Sequence, residues 1–159
     1  MKLEEFYANN PRFALGFSGG VDSSYLLYSA ASYGAEVQPY FIKTQFQTDE
    51  ELANAQKFAD GLGCALKVLR LDVLENDDVV SNPPDRCYYC KKVLFGRIKN
   101  MALNDGFSII ADGTNASDDI AVRPGFRVLK ELGVLSPLRI CGVTKAEIRK
   151  KLKKAGLSV

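Results

Sequence analysis

The 159-residue sequence contains no histidine and no long hydrophobic run. Without histidine, a Ser-His-Asp triad, a Cys-His catalytic pair and any metal site that needs an imidazole ligand are excluded. The longest stretch without a charged residue, 23–35, has thirteen residues and is too short to cross a bilayer. A basic start followed by an apolar run and a cleavage site is also missing. We therefore expect a cytoplasmic protein without a secretion signal or a membrane partner.

Charge is close to balanced over the chain. Hydrophobic residues make up 47% and charged residues 25%, as in ordinary globular proteins. The 21 basic and 19 acidic residues give a net charge of +2, and the basic residues are concentrated at 145–154. Such a run is usually the solvated face of an amphipathic helix, and this one lacks the interleaved aromatic residues of a base-stacking surface. We expect a single domain over residues 1–159 and do not expect an RNA partner.

Short apolar runs alternate with segments of helical periodicity along the whole chain. The apolar runs predict five strands, at 13–17, 37–42, 65–71, 107–111 and 134–140. Helices are predicted over 22–33, 49–62, 87–103 and 145–155, two of them starting at the capping residues Thr48 and Thr144. A polar segment, 72–86, predicts a long loop. This alternation predicts an α/β fold, a doubly wound, mainly parallel five-stranded sheet with helices on both faces.

The segment that follows the first predicted strand reads SGGVDSS and favours phosphate binding. Its glycines let the backbone turn and leave its amides uncovered, while the first amides of the next helix attract anions. The segment lacks a GKS or GKT ending and a GxGxxG spacing, so we expect it to bind the pyrophosphate part of ATP, with cleavage between the α- and β-phosphates. The candidate ATP-binding residues are Ser18, Gly19, Gly20, Val21, Asp22, Ser23 and Ser24.

Asp22 places a carboxylate where phosphates are expected. It either caps the helix or holds Mg²⁺ that neutralises the pyrophosphate. A helix terminus supplies only about 0.3–1 kcal/mol, and up to about 2 kcal/mol when partly buried. Because that is too little to hold a leaving pyrophosphate, we expect Mg²⁺ at Asp22 and count Asp22 among the catalytic residues.

Two further segments contain candidate site residues. Gly113, Thr114 and Asn115 follow the fourth predicted strand, where the edge of a parallel sheet would bring them beside the phosphate loop and near the α-phosphate. Arg123 and Arg127 are four residues apart and would share a face of a helical turn. They would stabilise charge at the α-phosphate or bind a substrate carboxylate, although paired arginines of this kind are also common on solvated surfaces.

The four cysteines leave several interpretations open. Cys87 and Cys90 have the spacing of half a zinc or iron–sulfur site, or of a redox pair, but they also suit a local structural role. Cys64 and Cys141 are the only further thiols, and Cys64 begins a strand at the edge away from the expected chemistry. Without an export signal, all four are expected to be reduced.

The SGGVDSS segment resembles the pyrophosphate loop of the PP-loop ATP pyrophosphatase superfamily. Four further segments resemble the LarE family of ATP-dependent sacrificial sulfur transferases: 82–91 (NPPDRCYYCK), 111–118 (ADGTNASD), 123–127 (RPGFR) and 136–138 (SPL). The resemblance as a whole runs from about Phe13 to Leu157. The resemblance implies an adenine nucleotide alpha hydrolase-like fold. It also implies, with the topology, that adenine lies at the end of the second strand, near Ile42, Thr44 and Phe46. Members of that family continue past the length of this chain, so the substrate and sulfur-donor part is expected to be absent.

The function implied by these segments is ATP-dependent adenylation of a small-molecule carboxylate, with release of pyrophosphate, ahead of sulfur transfer. ATP and Mg²⁺ are the expected cofactors, and a homo-oligomer is compatible with the sequence. One alternative is a PP-loop ligase that uses ammonia or thiolates tRNA. A second is a nucleotide-binding module that lacks a complete active site and acts with a partner chain.

Overall fold

The computed structural model describes residues 1–72, 86–118 and 126–157, without the side chains of 86–90 and 126. Within these ranges the chain forms four strands and seven helices. The strands are β1 (Arg12–Gly16), β2 (Glu36–Lys43), β3 (Lys67–Arg70) and β4 (Ile110–Ala111). The helices are α1 (Leu3–Asn9), α2 (Val21–Tyr33), α3 (Asp49–Gly61), α4 (Arg86–Asn104), α5 (Phe126–Glu131), α6 (Pro137–Ile140) and α7 (Lys145–Lys154).

The four strands form one parallel sheet in the order β3-β2-β1-β4. The chain moves from β1 outward to β2 and β3, and then crosses to the other side of β1 to form β4. Strand order therefore reverses between β1 and β4. In open parallel sheets, ligands bind outside the carboxyl ends of the strands at such a reversal.

Side-chain alternation along β1 divides the core into two layers. Phe13 and Leu15 are buried on one face of the sheet, against α1, α2, α3, α6 and α7. Ala14 is buried on the other face, against residues of α4 and α5. The predicted doubly wound parallel sheet with helices on both faces is confirmed.

The prediction of a fifth strand at 134–140 is wrong for the described residues. Leu135 forms only an isolated parallel bridge with Ala111, and the chain then turns into α6. Pro137 explains the change, because proline has no N–H for a ladder bond and its fixed φ suits the first residue of a helix. Strand β4 is also shorter than the predicted 107–111.

Local capping signals were predicted well. The Thr48 hydroxyl accepts a hydrogen bond from the Glu51 amide at 3.0 Å, and the Thr144 hydroxyl accepts one from the Glu147 amide at 3.3 Å. Both predicted helix starts are confirmed. The last helix ends at Lys154, one residue before the predicted 155, and the C-cap residue Ala155 is exposed.

The loop predicted over 72–86 falls almost entirely on residues 73–85, outside the described residues. No helix within 1–72, 86–118 and 126–157 combines the length and the apolar character that a membrane crossing requires.

Candidate functional site

The loop between β1 and α2 has the geometry of an exposed helix N-terminus. Gly20 is the N-cap of α2 and, as glycine, it has no side chain to cap the helix. Gly19 has a φ of +79°, and a Cβ there would lie 3.3 Å from the Ala55 Cβ of α3. A side chain at position 19 would therefore be strained by its backbone and crowded by its neighbour. The loop needs glycine to leave its amides open to a ligand.

The serines of the loop mainly shape the loop itself. The Ser18 and Ser23 hydroxyls are 3.1 Å apart, and the Gly20 amide donates to the Ser18 hydroxyl at 3.2 Å. The Ser18 amide also donates to the Ser23 hydroxyl, at 3.3 Å. Ser18 is exposed, whereas Ser23 and Ser24 are buried and Val21 is half-buried. Of the three serines, Ser18 presents its side chain to solvent.

Asp22 is paired with a lysine, although the sequence pattern predicts that lysine on the solvated face of its helix. The Lys145 ammonium lies 2.8 and 2.9 Å from the two carboxylate oxygens of Asp22, and both side chains are partly buried. The Lys145 amide also donates to the Ser117 hydroxyl, at 3.1 Å. The expectation that the α7 lysines face water is therefore wrong for Lys145. It compensates the charge of Asp22 beside the loop.

Mg²⁺ bound together with ATP usually takes one or two carboxylates, and phosphate oxygens supply further ligands. Asp22 fits that role as a single carboxylate at the loop. The described residues contain no group of three or more acidic or cysteine side chains placed to hold a metal by themselves. A magnesium ion at Asp22 would share the carboxylate with Lys145.

The segment after β4 lies directly against the first turn of α2, as the sheet topology predicted. A Cβ on Gly113 would be 2.9 Å from the Ser23 nitrogen and 3.1 Å from the Ser23 Cα. Contacts that short are not compatible with a side chain, so only glycine allows the two backbones to approach this closely. The structure therefore brings Gly113, Thr114 and Asn115 beside the loop.

Two buried polar side-chain atoms in these segments have no hydrogen-bond partner among the described residues. They are the Ser24 hydroxyl and the side-chain nitrogen of Asn115. Buried polar groups are nearly always paired, and each unpaired group costs about 1–3 kcal/mol. Both atoms belong to residues that the sequence predicts to bind ATP, so a site completed by a ligand fits their placement.

Asp112 is a carboxylate in the interior of this site. It is 5% exposed and accepts hydrogen bonds from the Thr114 and Ser136 hydroxyls, each at 2.6 Å. The Thr114 amide donates to it at 3.3 Å. Burial raises the pKa of Asp112 above its ordinary value, while the Ser136 and Thr114 donors and the nearby Lys91 charge oppose that shift.

Two cavities meet at the loop. A cavity of about 200 Å³ lies beside Gly16, Ser18 and Ile42, against Phe95 of α4. A larger one, about 780 Å³, extends from the loop along α3. Ser18 and Glu51 line both cavities. The open space therefore continues from the end of β2 to the face of the loop.

The predicted adenine region is only partly consistent with this geometry. Ile42 lines the smaller cavity, whereas Thr44 and Phe46 do not. The Thr44 amide and hydroxyl both donate to the Gln47 side-chain oxygen, at 2.8 and 2.6 Å, and the Thr44 hydroxyl accepts from the Phe46 amide at 3.0 Å. Thr44 thus holds the turn after β2 in shape.

The predicted arginine pair falls partly outside the described residues, because Arg123 is not among them. Arg127 is exposed on α5 and forms an ion pair with Glu131 at 3.8 Å, and it lines neither cavity at the loop. Arg139, which was not among the predicted site residues, lies nearer the site. Its amide donates to the Thr114 carbonyl at 3.2 Å, and its guanidinium donates to the Asp118 carbonyl at 3.3 Å.

Cys87 and Cys90 lie within the first five residues of α4, and their side chains are outside the described part of the structure. Their zinc, cluster, redox and structural roles stay predictions from the sequence. Cys64 and Cys141 are free thiols, and burial raises the pKa of both. Neither has the lowered pKa of a reactive cysteine.

Comparison of the sequence with known proteins shows the family to which the chain belongs. The model of the asparagine synthase family matches residues 10–101, more than half of the chain. Pyridinium-3,5-bisthiocarboxylic acid mononucleotide synthase of Lactiplantibacillus plantarum is 32% identical over 149 residues, covering 92% of this chain and 54% of that protein. The tRNA-specific 2-thiouridylase MnmA of Thermotoga petrophila is 27% identical over 190 residues, covering 93% of this chain and 53% of that protein.

A solved structure has the same fold. The glutamine-dependent NAD⁺ synthetase of Acinetobacter baumannii, in complex with ADP, superimposes with a TM-score of 0.73 at 17% identity, over 96% of this chain and 30% of that one. The chain spans about half the length of the curated relatives that it matches. From the family match, the similar relatives and the shared fold, we conclude that the chain belongs to the asparagine synthase family of PP-loop, ATP-utilising enzymes.

Proposed function

We propose that the chain is an ATP-binding domain that transfers AMP to a small-molecule carboxylate and releases pyrophosphate, ahead of sulfur transfer. The observation that carries the proposal is the contact between Gly113 and the Ser23 backbone. It puts the segment after β4 against the uncapped N-terminus of α2, at the reversal of strand order. Two predicted phosphate-binding segments would thereby face the same ligand.

The loop residues 18–24 would hold the β- and γ-phosphates. The amides at the uncapped N-terminus attract anions, and the larger cavity gives the phosphates room beside Ser18, Gly19 and Gly20. Asp22 would hold Mg²⁺, which neutralises charge on the pyrophosphate when bound. Lys145 keeps a positive charge at the same carboxylate, so that Asp22 does not simply repel the phosphates.

The α-phosphate would lie between the loop and the Thr114–Asn115 turn. A carboxylate oxygen of the acceptor attacks the α-phosphorus, the bond to the bridging oxygen breaks, and that oxygen leaves with the pyrophosphate. A carboxylate is already ionised at neutral pH, so no general base is needed. The work of the protein is positioning and charge stabilisation, to which Asn115 and Arg123 are proposed to contribute.

Sulfur transfer is proposed from the similarity to pyridinium-3,5-bisthiocarboxylic acid mononucleotide synthase, whose name describes a product with two thiocarboxylic acid groups. An acyl adenylate has a good leaving group, AMP, and a sulfur nucleophile would displace it to form a thiocarboxylate. The same relative supports a small-molecule carboxylate as the acceptor.

Calorimetry with Mg·ATP tests nucleotide binding. Exchange of labelled pyrophosphate into ATP with candidate carboxylates tests the transfer of AMP. The variant Gly19→Val with Asp22→Ala should lose ATP binding, because it strains the loop and removes its carboxylate. Gly133→Val is a control for the glycine substitution: Gly133 also has a positive φ, +70°, but a Cβ added there would meet no atom of the described residues within 4 Å, and Gly133 lines neither cavity at the loop. ATP affinity retained in the loop variant would remove the loop from the proposed function.

A tRNA acceptor is a second candidate. The similarity to MnmA favours it, together with the exposed basic residues Arg149, Lys150, Lys151, Lys153 and Lys154 on α7. A comparison of AMP release with tRNA and with small carboxylic acids separates the two candidates. AMP release that depends on tRNA would replace the small-molecule proposal.

A further inference from the structure

Asp112 joins three parts of the candidate site. It follows β4 directly, and its carboxylate accepts hydrogen bonds from Thr114, two residues later, and from Ser136, at the start of α6. Its own amide donates to the Leu135 carbonyl at 2.9 Å. The Asp112 backbone is therefore bonded to the segment before α6. Its side chain is bonded to Ser136 and to the turn that touches α2.

The hydrogen bonds at Asp112 fix the shape of the turn that follows it. Both the amide and the hydroxyl of Thr114 point back to the carboxylate, so the chain must reverse at Gly113. That reversal places Gly113 against the Ser23 backbone. The Thr114 carbonyl in turn accepts from the Arg139 amide, which ties the far side of the turn to α6. The Asp112 carboxylate therefore connects the turn at Gly113 to the start of α6.

Burying a carboxylate costs free energy that a residue with no role except to shape a turn would not need to cost. Removing a charged oxygen pair from water carries a large penalty, which three donors only partly offset. An apolar or amide side chain would serve a turn whose position did not matter. A charged acceptor with short, directional bonds to two hydroxyls holds its partners more tightly than neutral groups do. A requirement for an exact position of the turn in ligand binding would account for the cost of burying Asp112.

We propose that Asp112 is a positioning residue of the nucleotide site, whose carboxylate holds the Gly113–Asn115 turn at the distance from α2 that lets the turn and the loop contact the same nucleotide. This inference rests on the proposed function and adds to it. Asp112 does not touch the nucleotide, because its oxygens are buried and occupied by Thr114 and Ser136. It acts through the turn.

The experiment compares two probes, Mg·ATP and Mg·pyrophosphate, by calorimetry on the full chain. The loop is proposed to bind pyrophosphate by itself, whereas binding of the α-phosphate needs the turn. Asp112→Asn should weaken Mg·ATP binding by about tenfold to a hundredfold, the range expected for loss of one hydrogen bond to a charged group. It should leave Mg·pyrophosphate binding within about twofold, a split that general unfolding would not produce.

Two controls accompany the variant. Asp105→Asn removes a carboxylate at the opposite edge of the sheet, where it accepts from the Tyr40 hydroxyl at 2.5 Å and pairs with Lys67 at 2.7 Å. It should lower stability without changing either affinity. Ser136→Ala should weaken Mg·ATP binding, and Ser136→Thr, which keeps the hydroxyl, should restore it. If Asp112→Asn does not fold, the comparison of Ser136→Ala with Ser136→Thr tests the positioning role.

The outcomes separate the two proposals. Wild-type chain that binds neither probe overturns the proposed function and this inference with it. Wild-type chain that binds Mg·ATP, with equal binding by Asp112→Asn or by Ser136→Ala, overturns only the positioning role. Equal losses for both probes in Asp112→Asn would also overturn it, because the residue would then support the fold or the loop as a whole.

Discussion

Gly113→Ala adds one methyl group where the segment after β4 meets α2. The new Cβ would lie 2.9 Å from the Ser23 nitrogen, 3.1 Å from its Cα and 3.3 Å from its Cβ. Two of these three atoms are backbone, so no side-chain rotation relieves the contact and the two segments must move apart. Overpacking of this kind costs about 1–3 kcal/mol.

That cost converts into measurable changes. For a domain of this size, each 1 kcal/mol lowers the midpoint of thermal unfolding by about 2–4 °C, so a fall of about 2–12 °C is expected. The separation also moves the turn away from the loop, so Mg·ATP affinity should fall with stability. Thermal unfolding followed by circular dichroism, and calorimetry with Mg·ATP, measure the two effects.

Gly96→Ala is the matched control for this prediction. Gly96 lies inside α4, and within the described part of the chain a Cβ added there would have no atom within 4 Å apart from those of its own helix turn. Alanine in a helix interior is more stable than glycine by about 0.5–1 kcal/mol, so this variant should be slightly stabilised and bind ATP normally. Gly113→Ala with wild-type stability and wild-type affinity would refute the close approach of the two segments.

Three further predictions concern the site and the start of α3. Lys145→Met should lower Mg·ATP affinity by about tenfold or more, because Asp22 would then repel the phosphates, while Lys150→Met on the exposed face of α7 should not. Urea unfolding of wild type and Asp112→Asn from pH 4 to pH 8 should show wild type losing stability relative to the variant as pH rises. The pKa of Asp112 is raised on folding, so the proton is bound more tightly in the folded state and its stabilising effect is lost as pH rises from about 3.9 through the folded pKa. Thr48→Ala should cost about 0.5–2 kcal/mol in the same urea assay through loss of the α3 cap, and an unchanged midpoint would show that the cap contributes nothing.

The features that local sequence determines were predicted correctly. The glycines of the loop and the capping residue Thr48 act through their own backbone or through a residue three positions away, so a short segment contains the whole signal. The parallel sheet followed from the alternation of strands and helices. The closeness of Gly113 to the loop followed from topology, because the carboxyl ends of β1 and β4 meet at one edge.

The features that depend on packing between distant segments were missed. Lys145 pairs with Asp22 across 123 positions in the chain, and only the packing of α7 on α2 brings the two together. Ser136 reaches Asp112 in the same way, over 24 positions. The sequence carried a weak signal for both, since Ser136 lies in a segment of the family resemblance and Lys145 directly follows a capping threonine.

Two errors in secondary structure have local physical causes. The apolar pattern around Leu135 looks like a strand, but Pro137 cannot continue a ladder and starts a helix instead. Helix α1 was not predicted at all. It has only seven residues, and of these Phe6 and Tyr7 are buried, so its periodicity is too short to recognise.

The most direct test of the central claim is a crystal structure of the chain with Mg²⁺ and an ATP analogue that has a methylene group between the α- and β-phosphates. We predict that the β- and γ-phosphates lie on the amides of residues 18–24 and that the α-phosphate lies at the Thr114–Asn115 turn. A triphosphate bound away from these two segments would contradict the account.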